Sequence, residues 1–148
     1  MSLSTILTEQ TVATALRSRD KIGIINELLD LLVAAGAVTD KPAALQAVLE
    51  RERKMSTGMK YGIAIPHGKT ASIASLVACV GVSEEPVPFD SLDDEPARIF
   101  IMTLSPPEKT GPHLQFLAEV SQLFKSDAKR SAAIAASTPA ELLSIIAC

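Results

Sequence analysis

The stretch Gly62-Ile63-Ala64-Ile65-Pro66-His67-Gly68-Lys69 decides how the rest of the chain is read. Ile63 and Ile65 alternate with Gly62 and Ala64, so one face is bulky and the other small, as in a strand packed closely against a neighbour. Pro66 has no N–H to give to a ladder, which ends the strand or confines it to a sheet edge. Gly68 lets the backbone turn or lets another group approach closely. His67, one of two histidines in the chain, is therefore expected at a strand end, held but reachable.

Moving outward, Ser56-Thr57-Gly58 predicts a turn just before this stretch. A helix is expected from Asp40, with Pro42 in its first turn, Leu45, Val48 and Leu49 on one face, and Arg51, Arg53 and Lys54 in its last turn, where cations complement the helix dipole. An earlier helix, capped by Ser18 or Asp20, repeats Ile22, Ile25, Leu29, Leu32 and Val33 at helical spacing and stops at Gly36. Residues 11–16 predict a short strand ahead of it.

Downstream, residues 76–82 read as a buried strand, with Pro86 and Pro88 marking a following loop, and residues 97–104 as another. Ser105-Pro106-Pro107 breaks that strand. Thr110-Gly111-Pro112-His113 opens a helix with Leu114, Leu117, Ala118 and Phe124 inward. His113 falls in its first turn, where free N–H groups and the positive dipole end favour an anion and disfavour a charged imidazole. Two short helices close the chain, the last with a capping box in Thr138-Pro139-Ala140-Glu141. Strands mixed with helices predict an α/β fold, a three-layer α/β/α sandwich with a small mixed sheet flanked by helices.

At 148 residues, with 47% hydrophobic and 21% charged residues, the chain is read as one globular domain over 1–148. Asp30 interrupts the longest apolar run, residues 28–38, well short of the roughly 18 residues that cross a bilayer. Met1-Ser2-Leu3 is not the start of a secretory signal. Cys79 and Cys148 belong to no C-x-x-C pattern, so reduced thiols and a cytoplasmic setting are expected, with no direct membrane insertion. A formal charge of -3, no tryptophan and 3% aromatics exclude general nucleic-acid binding. Against that negative balance, residues 50–70 hold five cations (Arg51, Arg53, Lys54, Lys60, Lys69) and two anions (Glu50, Glu52). A locally positive surface around His67 suits an anion.

Residues 62–70 nearly spell the nucleotide-binding loop G-x-x-x-x-G-K-[ST], but five residues rather than four separate Gly62 from Gly68, and the backbone cradle depends on that count. His67, His113 and two distant cysteines lack metal-ligand spacing, and no G-x-S-x-G elbow is present. A neutral imidazole is a good nucleophile near pH 7, and phosphoryl transfer through it needs cations or N–H donors around the transferred group. Arg51, His113 and the hydroxyls of Ser56 and Thr57 could supply these if the fold gathers them.

The run Leu49-Glu50-Arg51-Glu52, Ser56-Thr57-Gly58, the Ile63 to Gly68 core, Pro88-Phe89-Asp90 and His113-Leu114 resembles the IIA domain of the fructose, mannitol and nitrogen-regulatory branch of the bacterial phosphotransferase system. The resemblance runs from about residue 5 to the C-terminus. It implies a phosphocarrier in which His67 accepts a phosphoryl group from a histidine phosphocarrier protein of HPr or NPr type. A second histidine, matched by His113, and an arginine, matched by Arg51, assist in the family, while Ser56 and Thr57 match small hydroxyl positions near the phosphoryl group. No metal or other cofactor is implied. One departure is Arg51-Glu52-Arg53-Lys54, where relatives often read R-E-K; Arg51 still stands sixteen positions before His67.

The resemblance leaves two roles open. As a transport component the domain passes its phosphoryl group to a IIB partner for fructose- or mannitol-type uptake, and a chain without IIB or IIC segments would do so in trans. As a nitrogen-type regulatory module, it docks to a target under control of His67 phosphorylation, which reverses the local charge.

Overall fold

The structure, a computed structural model, describes residues 3–108 and 110–147. Met1, Ser2 and Cys148, on which the readings of the leader and the second thiol bear, lie outside the described residues. A single helical turn, α1 (Leu3–Ile6), and a 3-10 turn (Glu9–Thr11) lead into β1 (Val12–Leu16). The two helices α2 (Lys21–Ala34) and α3 (Lys41–Lys54) follow, then two strand fragments, β2 (Ile63–Ala64) and β3 (His67–Lys69). The long strands β4 (Val77–Val87) and β5 (Ala97–Ser105) precede α4 (Thr110–Leu123), α5 (Asp127–Ala135) and α6 (Pro139–Ala147).

The sheet runs β1-β4-β5-β2, with β3 continuing beside β5 where β2 leaves off. It is mixed: β4 and β5 are antiparallel, while β1 runs parallel to β4 and both β2 and β3 run parallel to β5. Alternation along the strands divides the core into two layers. Cys79, Phe100, Met102 and Leu104 face Ile25, Leu28, Leu29, Ala44 and Val48 of α2 and α3. Ala78, Val80, Val82, Ile99 and Ile101 face Phe116, Val120, Leu142 and Ile146 of α4 and α6. The architecture is the predicted helix–sheet–helix sandwich.

Most boundaries follow from side-chain chemistry. Asp20 caps α2, its carboxylate accepting the Gly23 N–H at 2.7 Å, and Asp40 caps α3 through the Ala43 N–H at 3.1 Å. Gly36 closes α2 at φ 78°, a left-handed conformation natural to glycine. In the last helix the Glu141 N–H donates to Thr138 Oγ1 as the capping box requires, but the Glu141 carboxylate takes the Ser137 N–H and hydroxyl instead of the Thr138 N–H.

Three expectations are corrected. Ile22 and Val33 face solvent, because the buried stripe of α2 is Ile24, Ile25, Leu28, Leu29 and Leu32. In α4 the inward stripe is His113, Phe116, Val120 and Phe124, which turns Leu114 and Ala118 outward. Pro86 lies within β4, whose pairing with β5 shifts register between Val82 and Val87, the irregularity at which a strand tolerates a residue without an N–H. Cys79 is a buried free thiol whose pKa burial pushes up, an inert packing residue.

The central stretch divides its faces as its alternation predicts: Ile63 and Ile65 join the α4 layer and Ala64 the α3 layer. Pro66 interrupts this edge of the sheet without ending it, since His67 resumes pairing opposite Thr103. At Gly68 a methyl group would stand 2.9 Å from the backbone of both Ala47 and Val48. The group that approaches this glycine is thus the protein's own helix α3. Gly68→Ala is expected to destabilise the fold by about 1–3 kcal/mol, since backbone cannot yield as a side-chain tip can. Gly111→Ala, which meets nothing within 4 Å, should instead be neutral or stabilising. Urea denaturation of the two variants measures the contrast.

Candidate functional site

Packing of α3 across β3 leaves a cavity of about 640 Å³ at the sheet edge, between the C-terminal half of α3, β3 and the first turns of α4. Glu50, Arg51 and Lys54 line it from α3, and His113, Leu114 and Leu117 from α4, with Ile65, His67 and Lys69 between them. The positions 65, 67 and 69 share one side because side chains alternate along an extended chain. That spacing was available in the sequence, although Lys69 was counted there only as local charge.

The register of β3 on β5 brings the histidines together. His67 stands opposite Thr103, and Thr103 Oγ1 lies 3.1 Å from His113 Nδ1. The ring centroids of His67 and His113 are 4.9 Å apart, at an interplanar angle of 49°. Thr103 carried no signal in the sequence, since nothing local marks a buried threonine as the partner of a residue ten positions away.

His67 Nδ1 is 2.8 Å from the Ile65 carbonyl oxygen. A carbonyl oxygen can only accept, so the ring proton sits on Nδ1 and the Nε2 lone pair is free. Burial holds the His67 pKa below its ordinary value, and the charges of Arg51 and Lys69 add to this against the pull of the Ile65 hydrogen bond and Glu52. His113 is lowered further, to about 4, by burial and then by the charges of His67 and Lys69. Both imidazoles are therefore neutral at pH 7. Arg51 is anchored by its own helix end, Nη1 donating to the Met55 carbonyl at 2.7 Å.

Ser56 and Thr57 are not brought to this cavity. Ser56 Oγ donates to the Phe89 carbonyl at 2.6 Å and accepts the Gly58 N–H at 3.0 Å. Thr57 is buried, with its hydroxyl donating to Glu52 Oε1 at 2.6 Å. Both hydroxyls, expected near a phosphoryl group, are here bonded to the framework behind the histidines, and neither residue lines the cavity. Among the described residues no three His, Cys, Asp or Glu side chains gather as a metal site. A second cavity of about 310 Å³ lies beyond Ile65, lined by Tyr61, Ile63, Leu92, Val120 and Phe124, and it carries no histidine or carboxylate. No helix among the described residues is long and apolar enough to cross a membrane.

The cavity brings together two neutral imidazoles, an arginine, two lysines and the Glu50 carboxylate, a lining of net positive charge that suits an anion. Residues 5–148 match the model of the family described as "Phosphoenolpyruvate-dependent sugar phosphotransferase system, EIIA 2". The PTS system fructose-specific EIIA component of Haloferax volcanii is 40% identical over 120 residues, covering 81% of this chain and 78% of that protein. The PTS system fructose-specific EIIABC component of Bacillus subtilis is 33% identical over 99% of this chain, which spans only 23% of that relative's length. Among solved structures, the nitrogen regulatory protein IIA-Ntr of Neisseria meningitidis superimposes with a TM-score of 0.89 at 26% identity, over 97% of this chain and 98% of that one. The chain belongs to the EIIA 2 family of the phosphoenolpyruvate-dependent sugar phosphotransferase system.

Proposed function

We propose that this protein is a phosphocarrier that accepts a phosphoryl group on His67 Nε2 from a histidine phosphocarrier protein and passes it to a IIB partner of a fructose- or mannitol-type sugar system. The observation that carries the reading is the His67 Nδ1–Ile65 carbonyl bond, which leaves Nε2 as the nucleophile beside a cation-lined cavity. In the transfer, the Nε2 lone pair forms a bond to phosphorus as the donor's phosphorus–nitrogen bond breaks, and that electron pair returns to the donor imidazole. Transfer onward reverses these roles. The protein's contribution is position and charge: Arg51 offsets the developing phosphoryl charge. The Thr103 hydroxyl lies 3.1 Å from His113 Nδ1 and is able to donate to it, an arrangement that would leave the His113 proton on Nε2 to hydrogen-bond a phosphoryl oxygen. No metal or small cofactor is needed for these steps, and a cytoplasmic location follows from exchange with soluble donors.

The likeness to the Neisseria IIA-Ntr structure favours a second reading, a regulator whose docking to a target changes when His67 is phosphorylated. A target that binds phosphorylated and unphosphorylated protein equally would remove it.

Incubation with phosphoenolpyruvate and the upstream phosphotransfer proteins should label wild type on histidine. His67→Ala should abolish labelling, and Arg51→Gln should slow it by about 10²-fold. Undiminished labelling of His67→Ala would end the proposal.

The pH dependence follows from the lowered pKa values. Protonation removes the Nε2 lone pair, so the labelling rate should hold as pH falls to 6.5 and drop only below it. As pH falls the unfolded chain protonates first, so stability present above pH 6.5 should decline towards about pH 4, and His113→Gln should reduce that slope in urea titrations. Phosphorylation should raise the His113 midpoint, read by NMR, because a neighbouring anion favours imidazolium.

A further inference from the structure

We infer that Glu52 and Thr57 are positioning residues for His67, the inner links of a hydrogen-bonded path from Lys21 to the imidazole that fixes which ring nitrogen carries the proton. The inference rests on His67 being the phosphoryl acceptor. Lys21 Nζ, at the start of α2, donates to Glu52 Oε2 at 3.0 Å. The Thr57 N–H donates to the same oxygen at 2.9 Å, and the Thr57 hydroxyl to Oε1 at 2.6 Å. The Thr57 carbonyl in turn accepts the Ile65 N–H at 3.0 Å. The Ile65 carbonyl, on the same residue, accepts the His67 Nδ1 proton at 2.8 Å.

Each link constrains the next because residues 57–59 lie antiparallel to 63–65. Gly58 bridges Ala64, and the Met59 N–H donates to the Ile63 carbonyl at 2.7 Å. The far end is equally tied. Lys21 also pairs with Asp90 at 3.0 Å and stands 4.9 Å from the Phe89 ring centroid, while Ser56 Oγ holds the Phe89 carbonyl. A displacement at Glu52 therefore has few ways to relax except through Thr57 and Ile65.

The placement of Glu52 also speaks for a role beyond stability. It is 8% exposed, and it lies in the last turn of α3, where the helix dipole disfavours an anion. A buried ion pair is often no more stabilising than a well-packed apolar pair of the same volume. An apolar residue in its place would leave the Thr57 N–H and hydroxyl without the acceptors that Glu52 gives them.

The test uses Thr57→Val in the whole chain, which removes one hydroxyl at nearly constant volume. Two quantities are measured: the ¹⁵N shifts of the unphosphorylated His67 ring, and the initial rate of labelling by the phosphorylated donor. Wild type should show a single Nδ1–H tautomer. Thr57→Val should show a tautomer mixture and label roughly tenfold more slowly, with Thr57→Ser restoring both. Lys21→Met, at the partly exposed end of the path, should shift both readouts in the same direction, and it carries the comparison if Thr57→Val does not fold. A wild-type tautomer in every variant that folds would overturn the inference. A tautomer shift in the variants, with a wild type that is never labelled, would instead remove the phosphoryl reading and leave the path in place.

Discussion

Backbone contact across Gly68 sets the distance between α3 and the sheet edge, and the site depends on that distance. With no side chain at position 68, the helix backbone at Ala47 and Val48 lies directly on β3. One turn further along α3, Arg51 reaches the cavity that His67 lines. Any larger residue would move α3 outward as a rigid body, and Arg51, Glu50 and Lys54 would move with it. The same strand carries His67 and the glycine in adjacent positions, so the geometry of the cavity and the packing of the helix are one constraint.

The electrostatics of the site are consistent with an anion that comes and goes. Arg51, Lys54 and Lys69 line the cavity with two desolvated imidazoles; burial lowers both pKa values, helped by Arg51 and Lys69 at His67 and by Lys69 at His113. Two unit charges about 4 Å apart interact by about 4 kcal/mol at the effective dielectric of a protein surface. A phosphoryl group therefore changes the local balance by more than any single side chain does. On the proposed reading, Arg51 and Lys69 help to keep His67 unprotonated, and so nucleophilic, before the group arrives. Once bound, on the same reading, the phosphoryl group would in turn offset those cations.

Much of this was legible locally. Asp20, Asp40 and Gly36 marked helix ends, and the bulky and small faces of Ile63-Ala64-Ile65 separated onto the two layers. What failed locally was helix phase and pairing. In α4 both Leu114 and Phe116 are apolar, and only the sheet they pack against decides that Phe116, Val120 and Phe124 form the buried stripe with His113. Pro86 read as the mark of a loop, yet β4 continues through it, whereas Pro66 lies at the sheet edge, one of its two expected places, and parallel pairing with β5 resumes after it. Ser56 and Thr57 were close to His67 in sequence, but a short antiparallel segment turns their hydroxyls toward Phe89 and Glu52. Thr103 reached the site only through strand register, which no local pattern encodes.

The motif pieces that looked separate in sequence are contiguous in space. Arg51-Glu52, Ser56-Thr57-Gly58, Ile65 to Gly68 and Phe89-Asp90 are joined by hydrogen bonds, and Lys21 links Glu52 to Asp90. Only Arg51, Ile65, His67 and Gly68 among them line the cavity. A nucleophile that works through one ring nitrogen needs its tautomer fixed, and water or a mobile loop carbonyl would exchange too freely to fix it. Placing the Ile65 carbonyl behind two further residues and a buried carboxylate replaces that freedom with a framework. An anion buried at the wrong end of a helix is then understandable as the anchor of that framework, whatever its net effect on stability.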